Sequence, residues 1–329
     1  MVSTSCITHT LLGTDFPRLN LLTLSSVLGL LLLTKLTLSF TGVIYRAYLR
    51  PATDLRKYGA KQGAYAVVTG ASDGIGKEFA LQLAKKGFNL ILMARTKSKL
   101  DEVANQAKAL GVTAVVHPFD FANAKEETYA ELNAVLAKHE IGVLVNNVAV
   151  NHEIPIAFAD ESATLLRDIV EVDIAAQVRL TRTILPTMLA HKRGLILNVG
   201  SVAGLVPSPY LATYSGAKAF FRTWSRALAV ECRPKNVHVQ HVKTYFVQTA
   251  MSKIRKASFI APAPKHYVAS VLKSAGQDTD DAPYPAHALL TWALETLVPE
   301  SIAIKKSGDM HVDIRKRALR KKERLAKSQ

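Results

Sequence analysis

Six short apolar runs recur along residues 64–242, with amphipathic stretches between them. They are AYAVVT (64–69), FNLILM (88–93), TAVVHP (113–118), IGVLVN (141–146), GLILNV (194–199) and VHVQHV (237–242). Most are apolar at successive positions, as strands covered on both faces require. The stretches between them carry apolar residues at helical spacing, one opening near Gly76 and another after Pro209. This alternation predicts an α/β fold, a doubly wound parallel sheet with helices on both faces. Neither an internal repeat nor a Pro- or Gly-rich linker divides it, so it reads as a single domain.

Ahead of this pattern the chain turns uniformly apolar. Residues 21–45 are a 25-residue run with one charge, Lys35, and as a helix they would reach about 37 Å, enough to cross a bilayer core. Lys35 stands ten residues from the downstream end, and its long stem would carry the ammonium toward that interface. The run exceeds the apolar part of a cleaved secretory signal and lacks a small-residue cleavage pattern behind it. A transmembrane helix is the expectation, with a buried core helix as the alternative. Asp15 and Arg18 precede it, and Arg46, Arg50, Arg56 and Lys57 follow it, which puts the downstream side in the cytosol. A second apolar stretch, 286–304, is interrupted by Glu295, Pro299 and Glu300 and reads as a packed or membrane-grazing helix. The chain thus divides into an N-terminal segment (1–20), a transmembrane helix (21–45), the α/β domain with a membrane-proximal C-terminal part (46–300), and a tail (301–329).

Composition changes this picture little. With 329 residues, 49% hydrophobic and 21% charged, the chain can bury one large core. Cys6 and Cys232 cannot make a disulfide scaffold, and no Cys/His spacing suits zinc. His238 and His241, three apart on a strand, point to opposite faces, so no metal site is expected. The net charge of +16 raises the question of nucleic acid, but its distribution answers it. Residues 301–329 hold ten Lys/Arg against three Asp/Glu, with no aromatic side chain among them on which a base could stack. A solvated or lipid-facing tail fits better, and no nucleic-acid partner is expected.

The first strand runs straight into TGASDGIG (69–76), which opens a helix. Glycines there permit a tight turn and close approach of backbone N–H groups to a pyrophosphate, whose charge the helix N-terminus favours. A Rossmann-type dinucleotide site is the reading, with candidate contacts Val67, Gly70, Ser72, Gly74, Ile75 and Gly76; a purely structural turn is the alternative. The second strand ends at Arg95, where an NAD enzyme would place an acid on the ribose 2′-hydroxyl. A guanidinium suits a 2′-phosphate instead, so NADPH is the expected cofactor, unless Arg95 is an ordinary surface arginine. Asp120 and Asn146 follow the third strand and end the fourth, at the carboxyl edge where such sheets bind ligands.

Tyr214 and Lys218 lie four apart, on one face of a helix, and Ser201 stands thirteen residues earlier, just past the strand GLILNV. Reducing a ketone requires a hydride donor, a proton donor and a group that holds the carbonyl oxygen as charge develops. A tyrosine supplies the proton if a nearby ammonium stabilises its phenolate. A lone Tyr-x-x-x-Lys pair is weak, but here it coincides with the serine and the glycine-rich turn.

TGASDGIG, VNNVA (145–149), NVGS (198–201) and YSGAK (214–218) together resemble the short-chain dehydrogenase/reductase superfamily. More narrowly, residues 67–80, 204–225 and 245–258 resemble fungal very-long-chain 3-oxoacyl-CoA reductases of the endoplasmic reticulum elongase, with the membrane segment in the matching place. The resemblance implies Tyr214 as proton donor, Lys218 as its partner and a cofactor ligand, and Ser201 as holder of the substrate oxygen. It also implies Val247 and Thr249 at the nicotinamide end. The substrate it implies is a long-chain 3-oxoacyl-CoA, reduced on the cytosolic face of the endoplasmic reticulum membrane beside other elongase components. Leu205, Val206, Pro207, Pro209, Tyr210 and Leu211 could line the acyl chain, and Lys253, Arg255 and Lys256 could take CoA phosphates; both sets could equally be loop packing and a solvated face. A steroid, a retinoid or 3-ketosphinganine would use the same chemistry, and a silent elongase scaffold is a third reading. Two positions depart from the family pattern. Ala149 replaces a usual glycine, and Asp173 stands where an asparagine usually anchors a relay water; a carboxylate there would raise the Tyr214 pKa.

Overall fold

The computed structural model describes residues 21–327 and resolves two compact units that meet at Leu49 and Arg50. The first is helix α1 (Leu21–Ile44), continued by one π-helical turn, Tyr45–Leu49. Its leucines are exposed all round, Leu30 at 66% and Leu33 at 64%. A helix apolar on every face is at home in an apolar solvent, and Leu22–Leu49 is long and apolar enough to cross a membrane. The flanking Asp15 and Arg18, like Cys6, lie outside the described residues.

The second unit is built on parallel strands β1 (Tyr65–Thr69), β2 (Asn89–Ala94), β3 (Ala114–Pro118), β4 (Ile141–Asn146), β5 (Gly194–Val199), β6 (Val237–Val242) and β7 (Asp280–Asp281). Their order is β3-β2-β1-β4-β5-β6-β7. Six coincide with the apolar runs of the sequence. The seventh is two aspartates, paired through His241↔Asp280 and Val242↔Asp281. The helices are α2 (Gly74–Lys85), α3 (Lys97–Lys108), α4 (Glu126–Leu136), α5 (Ala163–Val170), α6 (Ala176–Ala190), α7 (Ala212–Cys232), α8 (Pro264–Lys273), α9 (Pro285–Thr296) and α10 (Glu300–Ala326).

Period-2 geometry sends successive strand residues to opposite faces. Val68, Leu90, Leu92, Val143 and Leu197 pack with Phe79 and Leu83 of α2, Leu100 of α3 and Val268 of α8. Val67, Ile91, Leu144 and Ile196 pack with Leu132 of α4, Leu180 and Ile184 of α6, and Leu228 of α7. Both faces are covered, which is why the strands read as continuous apolar runs.

The stretch 286–304 falls in α9 and the start of α10, parted by Pro299. The basic tail is not separate from the second unit: it is the body of α10. Ala303 and His311 are buried, Ser307 Oγ donates to Ser208 Oγ at 3.4 Å, and His311 Nδ1 meets the Pro209 carbonyl at 2.9 Å. Arg315 donates to the Pro155 carbonyl at 2.8 Å.

Phe79 is fully buried between α2 and the sheet. Phe79→Ala should cost about 3–5 kcal/mol, read as a lower urea midpoint at unchanged slope; an unchanged midpoint would contradict this packing.

Candidate functional site

The strand order reverses between β1 and β4, and a crevice opens at their carboxyl ends, the place where ligands bind in open parallel sheets. Thr69 fastens that crevice. Its hydroxyl donates to the Val145 carbonyl at 3.2 Å and accepts the N–H groups of Asn147 and Val148 at 2.9 and 3.0 Å. Asn147 Nδ2 donates to the Thr69 carbonyl at 2.9 Å. Gly70 is left-handed at φ 64°, and a Cβ there would lie 2.9 Å from Asn147 Nδ2. A Cβ on Gly76 would lie 2.1 Å from the Gly70 carbonyl oxygen. The turn therefore admits no side chain at either position. Asp73 caps α2 by accepting the Gly74 N–H at 2.7 Å, so the helix N-terminus faces the crevice. These features fit a nucleotide pyrophosphate.

Ser72, Gly74 and Ile75 are partly exposed on this turn, and Thr249 approaches it closely, its methyl 3.2 Å from where a Gly74 Cβ would stand. Val247 is buried one turn away. Arg95 and Asp120 are exposed at the ends of β2 and β3. Val67 and Asn146 have no exposed surface. Asn146 gives its amide to Thr181 Oγ1 at 3.0 Å and to Asn198 Oδ1 at 2.9 Å. Both lie in the floor of the cradle. The buttress formed by Thr69 and Asn147 escaped the sequence reading, although the doubled asparagine of VNNVA was its visible sign.

Ser201, Tyr214 and Lys218 meet at the end of β5. Ser201 caps a short 3-10 turn, Val202–Gly204, and accepts the Ala203 N–H at 3.1 Å. Ser215 on α7 donates to the Ala203 carbonyl and accepts the Ser208 N–H at 3.1 Å, which fixes the serine loop against α7. A Cβ on Gly204 would lie 2.5 Å from the Lys218 backbone, so only glycine allows this approach. Ser201, Tyr214 and Lys218 are thereby gathered, with the Ser201 hydroxyl close enough to Tyr214 to act on its pKa. Ile169, Leu211 and Ala217 surround Tyr214 with apolar surface.

Lys218 and Asp173 are both buried, with Nζ 3.2 Å from Oδ2. The other carboxylate oxygen, Oδ1, accepts the Val150 N–H at 2.7 Å. Nζ also lies 5.5 Å from the Tyr214 ring centroid. Burial raises the Tyr214 pKa; Lys218 opposes this, Asp173 adds to it, and the nearby Ser201 hydroxyl lowers it, leaving the phenol above its ordinary value. Burial alone would lower the Lys218 pKa, but the charges of Asp173 and then Tyr214 outweigh it and hold the ammonium. Burial pushes the Asp173 carboxyl upward against the pull of Lys218 and Val150. The ammonium 3.2 Å from one carboxylate oxygen and the Val150 N–H on the other favour the ionised pair. His241, the other titratable group beside Lys218, is kept neutral first by burial.

A family model for short chain dehydrogenases matches residues 64–258. The chain belongs to that family. The short-chain dehydrogenase domain continues into relatives of the same length: the chain is 46% identical over 297 residues to a very-long-chain 3-oxoacyl-CoA reductase of Coprinopsis cinerea, covering 87% of this chain and 88% of that protein. A very-long-chain 3-oxoacyl-CoA reductase of Podospora anserina is 44% identical over 314 residues, 92% of each chain. Among solved structures, a short-chain dehydrogenase of Sphingobium yanoikuyae in complex with NADPH superposes with a TM-score of 0.63 at 26% identity, covering 70% of this chain and 92% of that one.

Asp173→Asn should lower the Tyr214 pKa, because the phenolate loses a facing negative charge and takes over from Asp173 as the anion paired with the Lys218 ammonium. Reduction needs the phenol protonated, so it persists below that pKa and fails as pH rises through it. The alkaline limb of kcat should therefore move to lower pH in Asp173→Asn; a limb that stays in place would contradict the electrostatic account.

Proposed function

We propose that the protein reduces very-long-chain 3-oxoacyl-CoA to 3-hydroxyacyl-CoA with NADPH, in fatty acid elongation at the endoplasmic reticulum. The observation that carries the reading is the buried Tyr214, beside Ser201 and with the Lys218 ammonium 5.5 Å from its ring centroid. The full-length relatives named for this reaction support the substrate. Helix α1 would anchor the chain as a single pass, and the basic residues that follow it favour a cytosolic catalytic unit. Neighbouring elongase components are the partners this implies.

NADPH, when bound, supplies the hydride that the C3 carbon accepts. The turn at Gly70, Ser72, Gly74, Ile75 and Gly76 receives the pyrophosphate, and Arg95 takes the 2′-phosphate through parallel hydrogen bonds. Asp120 stands at the adenosine side of the crevice, and Val247 and Thr249 approach its other end. Ser201 holds the 3-oxo oxygen. As negative charge develops there, Tyr214 gives up its proton, and the Lys218 ammonium stabilises the phenolate left behind. Asp173 keeps Lys218 charged and in place.

Tyr214→Phe should lower kcat at least about 100-fold while NADPH still quenches protein fluorescence; near-normal turnover would remove Tyr214 as the acid. Arg95→Glu should raise the KM for NADPH at least about tenfold and leave that for NADH little changed; equal effects on both would remove the 2′-phosphate contact. The substrate is tested by NADPH oxidation in detergent with a very-long-chain 3-oxoacyl-CoA, a 17-ketosteroid and 3-ketosphinganine. Preference for the thioester is expected; activity on another ketone alone would overturn the pathway and keep the chemistry.

A further inference from the structure

A cleft of about 710 Å³ opens beside the glycine-rich turn, between α2, residues 248–265 and α10. Lys77, Lys253, Arg255, Lys265 and Lys321 line it. Its two acids are already engaged: Asp73 caps α2, and Glu78 accepts the Gln82 amide at 2.7 Å. Among the described residues, Lys77, Arg255, Lys265 and Lys321 form no ion pair. Five cations against two carboxylates leave this concavity net positive, which attracts a polyanion. No aromatic side chain lines it, so it suits phosphates and not the face of a base. Gly74 and Thr249 are shared with the cofactor cradle, but Arg95, Asp120, Ser201, Tyr214 and Lys218 are not part of its wall.

Helix α10 is held where it can complete this wall. His311 and Arg315 tie it to Pro209 and Pro155, beside the catalytic serine and tyrosine. Further along, Lys322 lies 3.7 Å from a Glu153 carboxylate oxygen, and Lys253 donates to the Glu153 carbonyl at 2.7 Å. One residue of the 150–156 loop thus joins α10 to the 248–256 segment.

We propose that this cleft, with α10 as its outer wall, binds the phosphates of the CoA handle while the thioester reaches the site at Tyr214. The proposal rests on the acyl-CoA reading above and adds the residues that recognise the handle. A phosphate group in this cleft could also come from an anionic lipid headgroup or from the cofactor, and the experiment separates these sources.

The full-length protein in detergent, saturated with NADPH, is titrated with free CoA by calorimetry, comparing wild type with Lys321→Ala, Arg255→Ala and the double variant. Turnover is compared for one 3-oxoacyl chain presented as its CoA thioester and as its N-acetylcysteamine thioester. The double variant should bind CoA at least about tenfold more weakly and raise the KM for the CoA thioester to match, with a KM for NADPH like that of wild type. The penalty should vanish for the N-acetylcysteamine thioester, which has no phosphates. Equal CoA affinity in all variants, an equal penalty on both thioesters, or a raised KM for NADPH would overturn the proposal. So would loss of sedimentation with phosphatidylserine vesicles at unchanged CoA affinity, which would assign the cations to lipid. CoA bound through these residues without turnover of either thioester would keep the cleft and overturn the substrate reading instead.

Discussion

The Lys218 ammonium is 2% exposed, in surroundings where an unpaired charge would cost roughly several kcal/mol. It is tolerable there because the Asp173 carboxylate lies 3.2 Å away and is itself steadied by the Val150 N–H. From this pair the rest of the centre follows. A charged Lys218 can stabilise a phenolate on Tyr214, and a charged Asp173 keeps that phenolate from forming too early. The two effects oppose each other at the tyrosine oxygen. Burial decides the balance in favour of the neutral phenol, the form that can give a proton away.

Placing such a pair demands an irregular backbone. Asp173 sits in a π-helical turn, Glu171–Ala175, between α5 and α6; π-turns inside helices recur at functional sites. On the other side, α7 carries Tyr214 and Lys218 one turn apart, and glycine at 204 lets the serine loop close on the helix backbone. Behind Lys218, His241 Nδ1 meets Asp280 at 2.9 Å, while Arg222 and Lys243 meet Glu295. This second charged cluster ties β6, β7, α7 and α9 together beneath the site.

Much of this was legible in the sequence because burial on both faces of a parallel sheet leaves an apolar run for each strand. The Gly-rich turn, the serine past β5 and the Tyr/Lys spacing stood out for the same reason: each needs particular residues at fixed intervals. Asp173 was visible as an odd residue, but its direct pairing with Lys218 was not, since α5 and α7 are distant in sequence. β7 could not be seen, as two aspartates give no strand signal and are held by the ion pairs of Asp280, the Gln240 amide on Asp281 and the ladder to β6. Helix α10 read as a tail because its inward stripe is Ala303, Ser307, Gly308 and His311, small or polar residues that pack on Pro209. Val67 in the middle of β1 and Asn146 at the end of β4 are buried beneath the cradle.

The central claim is that a carboxylate at 173 sets the proton state of Tyr214 through Lys218. It is tested most directly by labelling tyrosines with ¹³C at Cζ and following the Tyr214 resonance with pH in the wild-type protein and in Asp173→Asn. Tyr214 should stay neutral past the ordinary tyrosine value of about 10 in the wild type, and ionise at lower pH in the variant. A wild-type Tyr214 already ionised near neutral pH, or one indifferent to Asp173→Asn, would contradict the account.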